Sequence, residues 1–515
     1  MDNYGFNIYQ GKEYKGESYI SEGVNEKEAP ILEILEDKGE GKLYQLKLPD
    51  LKAFLKNKGY ENFDEFIARQ ESEYFKSMKH IPNGYYYLYV IDKNGHVIML
   101  VFGQENDSFP RLRKFPIHIC FLKYLEILDL SHHRIKHIPE EIVNLQNLQY
   151  INLEGNLIEF IPDYLWDIHS WRYLNFQKIA YEKRGEIINI PKAIFNLNSL
   201  RNLKINYESI TRIPSKIKNL NSLRILCLSS NKINTISEEI GELALLERLD
   251  LSNNNLTKLP KSIRKLKSLK ECYLHNNQLT SLNKFVGNIP NLQKVFLSNN
   301  LFLKFPSSIL NLKEISHLEI DNNKLIEIPK DIDNLIYLEV LKLNNNRLTY
   351  LPHSFGNLTS LKKLYLNNNQ LKEIPISIQK LKVLNFLSIN GNNLKHIPNV
   401  IEELDLLYQM DIDENQVKIL PRAILNLKKL RILKIKTKSE EFKKWKIKFK
   451  LECEIQEINL ILRHSTSDSN STDLKWLKPW KKKKEKAETR LKQIISNLPP
   501  ILKDLERKGT NVRFQ

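Results

Sequence analysis

Apolar residues recur along most of this chain with a period that neither a lone helix nor a lone strand produces. An apolar or aromatic residue heads each of a series of segments, at Leu125, Leu148, Trp171, Leu200, Leu223, Leu246, Leu269, Leu292, Ile315, Leu338, Leu361, Leu384, Leu407 and Leu430. Every gap is 23 residues except Trp171 to Leu200, which is 29. Slots 1, 4 and 6 of a copy are apolar, and the last two stand at the period-2 spacing of a strand with one buried face. Slot 9 is Asn in ten of the thirteen full copies between 125 and 429, among them Asn231, Asn254, Asn277, Asn300, Asn323 and Asn346. An amide both donates and accepts, so it suits a point where backbone groups turn out of a strand. Pro139, Pro162, Pro214, Pro260 and Pro329 then fix φ and remove a donor, which predicts an irregular return segment rather than a long helix. No copy can bury its own apolar edge, so neighbours must stack into one continuous core.

One clean copy reads Leu361-Lys-Lys-Leu364-Tyr-Leu366-Asn-Asn-Asn369-Gln-Leu371, followed by Ile374-Pro375, Ile378 and Leu381. This resembles the leucine-rich repeat, LxxLxLxxNxL. The IPxxIxxL second half is similar to the intracellular Ras-group leucine-rich repeat scaffolds. The resemblance implies an α/β leucine-rich repeat solenoid, a horseshoe with a parallel β-sheet on its concave face. It also implies a small GTPase or signalling enzyme as partner, by analogy.

The repeat extends toward the N-terminus. Val97, Leu100 and Phe102 occupy slots 1, 4 and 6, and Leu112, Phe115-Pro116, Ile119 and Leu122 complete a lengthened copy. Ahead of it, Gly84 to Ile91 and the turn Asp92-Lys-Asn-Gly95 predict a strand and hairpin. Helices are expected from about Asp50 to Lys58 and from Asn62, where Glu65 completes a capping-box-like start; residues 1–45 carry no assignable pattern. Beyond the repeats, Trp445, Ile447, Phe449, Leu451, Cys453 and Ile455 alternate with charged residues, predicting a capping strand. The stretch His464 to Asp473 is a polar linker, and Trp480–Asn497 and Pro500–Lys508 read as amphipathic helices. The expected organisation is an N-terminal α+β cap over 1–96, the solenoid over 97–436, a C-terminal cap over 437–463, a linker over 464–473 and a basic helical tail over 474–515.

Composition refines this picture. The 515 residues are 41% hydrophobic with mean hydropathy −0.42, and no uncharged apolar run approaches the ~18 residues of a membrane span. The start, Met1-Asp2-Asn3-Tyr4-Gly5, lacks the cationic and apolar stretches of a signal peptide. Cys120, Cys227, Cys272 and Cys453 lie far apart with no CxxC, so a cytoplasmic setting without disulfides or a zinc module is expected. Of the net charge of +18, residues 430–515 carry +12, including Lys481, Lys482, Lys483 and Lys484 beside Trp476 and Trp480. Such a tail suits nucleic acid or an anionic membrane, although no nucleic-acid motif is present.

Chemistry is mostly missing. No Walker A, kinase set, GxSxG or HExxH occurs, so neither catalytic residues nor a cofactor are expected. Cys120 and Cys272 read as core residues, whereas Cys227, on outward slot 5, should see solvent. His132, His133 and His137 cluster in one copy; a hydrogen-bonded histidine, with His133 replacing the slot-9 amide, is the expectation over a metal ligand. What remains is surface. Slots 3 and 5 project from the concave face, where Tyr150, Tyr173, Tyr273, Phe296, Tyr365 and Phe386 are interspersed with Lys204, Lys294, Lys342 and Lys363. Aromatics beside cations are typical interface anchors.

Two long loops leave the same edge of that face, at Gly103–Arg111 and Gln177–Glu186, and predict a second contact surface at Glu105, Asp107, Tyr181, Lys183 and Arg184. The expected function is therefore a non-catalytic protein-binding scaffold. The alternatives are a nucleic-acid- or membrane-binding protein acting through the tail, or a host-directed leucine-rich repeat effector.

Overall fold

The computed structural model describes residues 23–39, 87–102, 111–176, 189–413 and 420–436, with short pieces at 8–9, 12–13, 19–20, 43–45, 483–486, 488–489, 507–508 and 510–514. Two compact units divide the chain, Met1–Leu292 and Gln293–Gln515. In the first, Tyr87–Ile91 lies antiparallel to Val97–Val101 across the expected turn, where Gly95 adopts a φ of 82°. Parallel strands then follow at Ile127–Asp129, Tyr150–Asn152, Tyr173–Asn175, Asn202–Lys204, Ile225–Cys227, Arg248–Asp250 and Glu271–Tyr273. The second unit continues the same grammar with Lys294–Phe296, His317–Glu319, Val340–Lys342, Lys363–Tyr365, Phe386–Ser388, Gln409–Asp413 and Ile432–Lys436.

Register in the regular copies advances by one repeat per strand, as in Arg248 opposite Glu271, so equal slots stand side by side in columns. The inward slots are sealed: Leu246, Leu249, Leu251 and Leu256 are all 0% exposed. Trp171 fills slot 1 of the long copy, and its indole N–H reaches the Leu165 carbonyl at 3.0 Å.

The slot-9 amide joins successive copies. Asn254 donates from Nδ2 to the carbonyls of Leu251 in its own copy, at 3.1 Å, and Leu228 in the preceding one, at 3.0 Å. Its Oδ1 accepts the Ile233 N–H at 2.9 Å. Asn277, Asn323, Asn346 and Asn369 make the same bonds. His133 performs this role with a ring: Nδ1 accepts from Leu112 N at 3.3 Å, and Nε2 lies 2.7 Å from the Phe102 carbonyl, so the proton belongs on Nε2. The expectation of a hydrogen-bonded histidine holds.

Slot 8, just before the amide, is a left-handed residue, a constraint that the pattern of apolar positions did not reveal. His132, Tyr207, Ser230, Asn253, Asn276, Asn299, Asn322, Asn345 and Asn368 have φ between 53° and 65°, and Gly155 and Gly391 occupy the same slot. Asparagine and glycine tolerate that region best, which explains the Asn-Asn and Gly-Asn doublets.

On the return side, Pro260 and its equivalents stand extended ahead of five-residue 3₁₀ turns such as Lys261–Lys265. Where proline is missing, a side chain caps instead: Asn283 Oδ1 accepts Phe285 N–H at 3.2 Å. Adjacent turns approach closely at Gly241, where an added Cβ would lie 2.5 Å from the Ser262 carbonyl oxygen.

Both ends differ from expectation. An unforeseen helix, Ala29–Gly39, buries Ala29, Ile31, Leu32 and Leu35. The anticipated helices near 50–58 and from 62, and the capping strand over 445–455, lie outside the described residues. The strand that pairs in parallel with Ile432–Lys436 is Asn511–Phe514. Thr510 Oγ1 donates to the Leu430 carbonyl at 3.2 Å beside it. Four residues in a charged tail are too few to show a strand period.

The ladder makes two predictions. Asn323→Leu should destabilise the fold by about 1–3 kcal/mol for each buried backbone group left unpaired; a melting temperature equal to wild type would contradict the bonding described. Burial pushes His133 down from the ordinary 6.5 to about 4, so the fold keeps it neutral while the unfolded chain protonates first. Its contribution is complete above pH ~6.5 and is lost as pH falls toward ~4. Melting curves of His133→Asn between pH ~7 and ~4.5 should show a shallower acid loss than wild type; an unchanged slope would assign the acid sensitivity elsewhere.

Candidate protein-binding face

Slots 3 and 5 of each strand point away from the core, and their columns make the open face of the sheet. In the second unit the slot-5 row reads Phe296, Glu319, Lys342, Tyr365, Ser388, Asp411 and Lys434, each in register with the next. The slot-3 row beside it reads Lys294, His317, Val340, Lys363, Phe386, Gln409 and Ile432. Tyr365 and Phe386 meet diagonally with ring centroids 4.6 Å apart. Lys342 stands 5.6 Å from the Tyr365 centroid while its Nζ lies 2.6 Å from Glu319 Oε1. Lys294, Phe296, Lys342, Tyr365 and Phe386 are half-buried and Lys363 is exposed.

The first unit builds a related group. Arg248 stacks 4.5 Å above the Tyr273 ring, and the Tyr273 hydroxyl donates to Glu271 Oε2 at 3.0 Å. Burial first, and then the carboxylate of Glu271, raise the Tyr273 hydroxyl well above its ordinary range. Tyr150 is half-buried, and its ring lies 6.3 Å from that of Tyr173. Two expectations fail here. Tyr173, expected as an outward anchor, is only 4% exposed, because Tyr150 and Asn202 crowd it on either side of the slot-3 column. Cys227, expected to see solvent, is also 4% exposed, flanked in its column by Lys204 and Asp250. A strand-spaced column of long side chains closes over its shorter members. Lys204 itself is half-buried.

Slot 7 carries a second ladder, along the margin of this face. Ser298 Oγ accepts Asp321 N–H at 3.1 Å, and Asp321 Oδ1 accepts Asn344 N–H at 2.5 Å. Asn344 Oδ1 takes Asn367 N–H and Asn367 Oδ1 takes Asn390 N–H, both at 2.8 Å. The Asn, Asp and Ser residues at that slot were its visible sign. Burial, with Glu319 adding to it, pushes the Asp321 carboxyl up to about 6 even though Asn344 N–H favours its charged form.

Glu105, Asp107, Tyr181, Lys183 and Arg184 lie outside the described residues, as do Trp476, Trp480, Lys481 and Lys482 of the tail. Lys483 and Lys484 belong to a helical stretch in which Lys484 Nζ lies 3.7 Å from Glu488 Oε1 one turn on. Among the described residues, no group of three or more His, Cys, Asp and Glu side chains could hold a metal ion.

Models of the leucine rich repeat match residues 123–177, 313–371 and 336–394, and a leucine-rich repeat region matches 212–301. A solved leucine-rich repeat protein of Leptospira interrogans is 34% identical, with a TM-score of 0.57, over 62% of this chain and 80% of that one. The chain belongs to the leucine-rich repeat family. An internalin, inlF, of Listeria monocytogenes aligns at 22% identity over 60% of this chain and 79% of its own, with a TM-score of 0.46. The plant peptide hormone receptor RGFR1, solved in complex with RGF2, aligns at 25% identity over 68% and 67%, with a TM-score of 0.43. No curated protein sequence matches the chain. Leucine-rich repeat proteins are generally binding scaffolds rather than catalysts, and the leucine-rich repeat fold found here suggests an interaction scaffold.

The slot-7 ladder generates a test. A carboxyl whose folded pKa is raised stabilises least when ionised, so the Asp321 contribution declines as pH climbs from the ordinary 3.8 through about 6. Asp321→Asn keeps the acceptor for Asn344 N–H and removes the charge, as Asn344 and Asn367 already do at their slots. It should raise stability at pH ~7 by about 1–2 kcal/mol and have little effect near pH ~4. A variant less stable than wild type at neutral pH would mean that the charge is needed.

Proposed function

We propose that this protein is a non-catalytic scaffold that captures a protein partner on the open face of its sheet. The observation that carries this reading is the Tyr365–Phe386 pair, two half-exposed rings in van der Waals contact on a face of mixed apolar, polar and charged side chains. Lys342 and the exposed Lys363 stand beside them. Half-exposed aromatics bordered by cations have the composition of binding hot spots. The IPxxIxxL half of the repeat, similar to the Ras-group scaffolds, supports a small GTPase or a signalling enzyme as the partner, and hence a role in signal transduction. Cys120, Cys227 and Cys272 are buried thiols outside any disulfide, which suits a reducing cytoplasm.

The competing reading assigns binding to the basic tail, with nucleic acid or anionic lipid as ligand. Affinity purification from native lysate separates the two. Tyr365→Ala with Phe386→Ala should abolish capture, a loss of about 2–4 kcal/mol, with thermal stability nearly unchanged. Capture should survive moderate salt. Retention by the double variant, together with loss on deleting residues 474–515 and steep weakening in salt, would transfer the function to the tail.

A further inference from the structure

Charge is unevenly matched along the open face of the second unit. From Lys363–Tyr365 onward the slot-3 row reads Lys363, Phe386, Gln409 and Ile432, and the slot-5 row reads Tyr365, Ser388, Asp411 and Lys434. Asp411 is the one carboxylate in these rows, and it is covered. It is 8% exposed, and its Oδ1 accepts from Gln409 Nε2 at 2.8 Å. The cations reach solvent. Lys363 is exposed and Lys434 half-buried, while Arg431, just ahead of Ile432, is exposed and donates to the Leu430 carbonyl at 3.4 Å. Lys342 and Lys362, in contrast, are matched by Glu319 at 2.6 Å and Glu339 at 2.7 Å. Among the described residues, Lys363, Arg431 and Lys434 have no such ion pair with a carboxylate.

Apolar surface separates these charges. The strands of Lys363 and Lys434 are three spacings apart, ~14 Å, and Phe386 and Gln409 occupy the two strands between them. Tyr365 lies against Phe386 with ring centroids 4.6 Å apart, and Ile432 shares the strand of Lys434. A nucleic acid carries a charge on every residue and would set phosphates over the rings as well as over the cations. A protein segment can place an acid at each end and an apolar residue between. We propose that the partner lays an extended acidic segment across these strands. One apolar side chain packs on Phe386 and Tyr365, one acid meets Lys363, and a second meets Lys434 and Arg431. An extended chain advances ~3.3 Å per residue, so the two acids should stand about four residues apart. The rings supply the desolvated centre, and the flanking charges select the partner by sign. The proposal rests on the open face being the binding surface.

Selection of a random peptide library on the full chain, counter-selected on the Tyr365→Ala, Phe386→Ala double variant, tests it. Wild type should enrich peptides with an apolar residue between two acids about four positions apart. Such a peptide should bind Lys363→Glu and Lys434→Glu about tenfold more weakly than wild type. Exchanging one of its acids for lysine should restore binding to one of these two variants. Both lysines reach solvent, and melting curves verify that each variant is folded. Enriched peptides that need the rings but carry no acids would overturn the proposal and leave the open-face reading standing. Acidic peptides indifferent to both charge reversals would overturn it too. A single-stranded oligonucleotide that binds more tightly than the peptides, and is weakened as much by either reversal, would overturn it in favour of nucleic acid. A library that yields no peptide dependent on the rings would remove both readings.

Discussion

One side chain makes this chain a structure rather than a string of short strands: the amide at slot 9. Three-residue strands and five-residue turns have no independent stability, and the chain leaves each strand with backbone groups that the core cannot solvate. Asn254 and its equivalents satisfy three of those groups at once, two in their own or the preceding copy's strand exit and one at the next apolar position. Each copy is thereby bonded to its predecessor at the same point where both turn. Leucine columns supply the driving force, but apolar contact is tolerant of sliding. The amides set the register, and the left-handed residue before each one turns the chain into place.

The two ladders have different consequences. At slot 9 the acceptors and donors lie inside, so their chemistry is spent on the fold. At slot 7 they lie along the margin of the open face, in a series that runs from Ser298 to Asn390. Charges on the face are in part matched across neighbouring strands, as in Lys342 to Glu319 at 2.6 Å and Arg248 to Glu271 at 3.9 Å. Exposed pairs of this kind contribute little stability individually. Their effect is to leave the face without a single dominant sign, so recognition there depends on local groups rather than on the net charge of the chain.

The repeat, its slots and its irregular return side were legible because each is a periodic demand made many times over. Leu246, Leu249 and Leu251 are buried where the period places them, and Pro260 precedes a 3₁₀ turn where a long helix was excluded. His133 was legible as a replacement amide because an imidazole also donates and accepts. The candidate face was only half legible. Slot numbering said which side chains leave the core, and for Tyr365, Phe386 and Lys363 that was enough.

Sequence by itself determined which residues line the core and which point outward, because burial in a stacked fold follows the repeat and the repeat is written in the order of residues. Tertiary structure alone decided how open each outward position is, because that depends on neighbours 23 residues or more away standing one strand spacing to either side. Tyr173, Cys227 and Ser388 are covered by such neighbours. It also decided where the last strand comes from. Asn511–Phe514 pairs with Ile432–Lys436 across nearly eighty residues of chain; a four-residue strand has too few positions to announce a period, and only the unpaired edge of the sheet gives it a place.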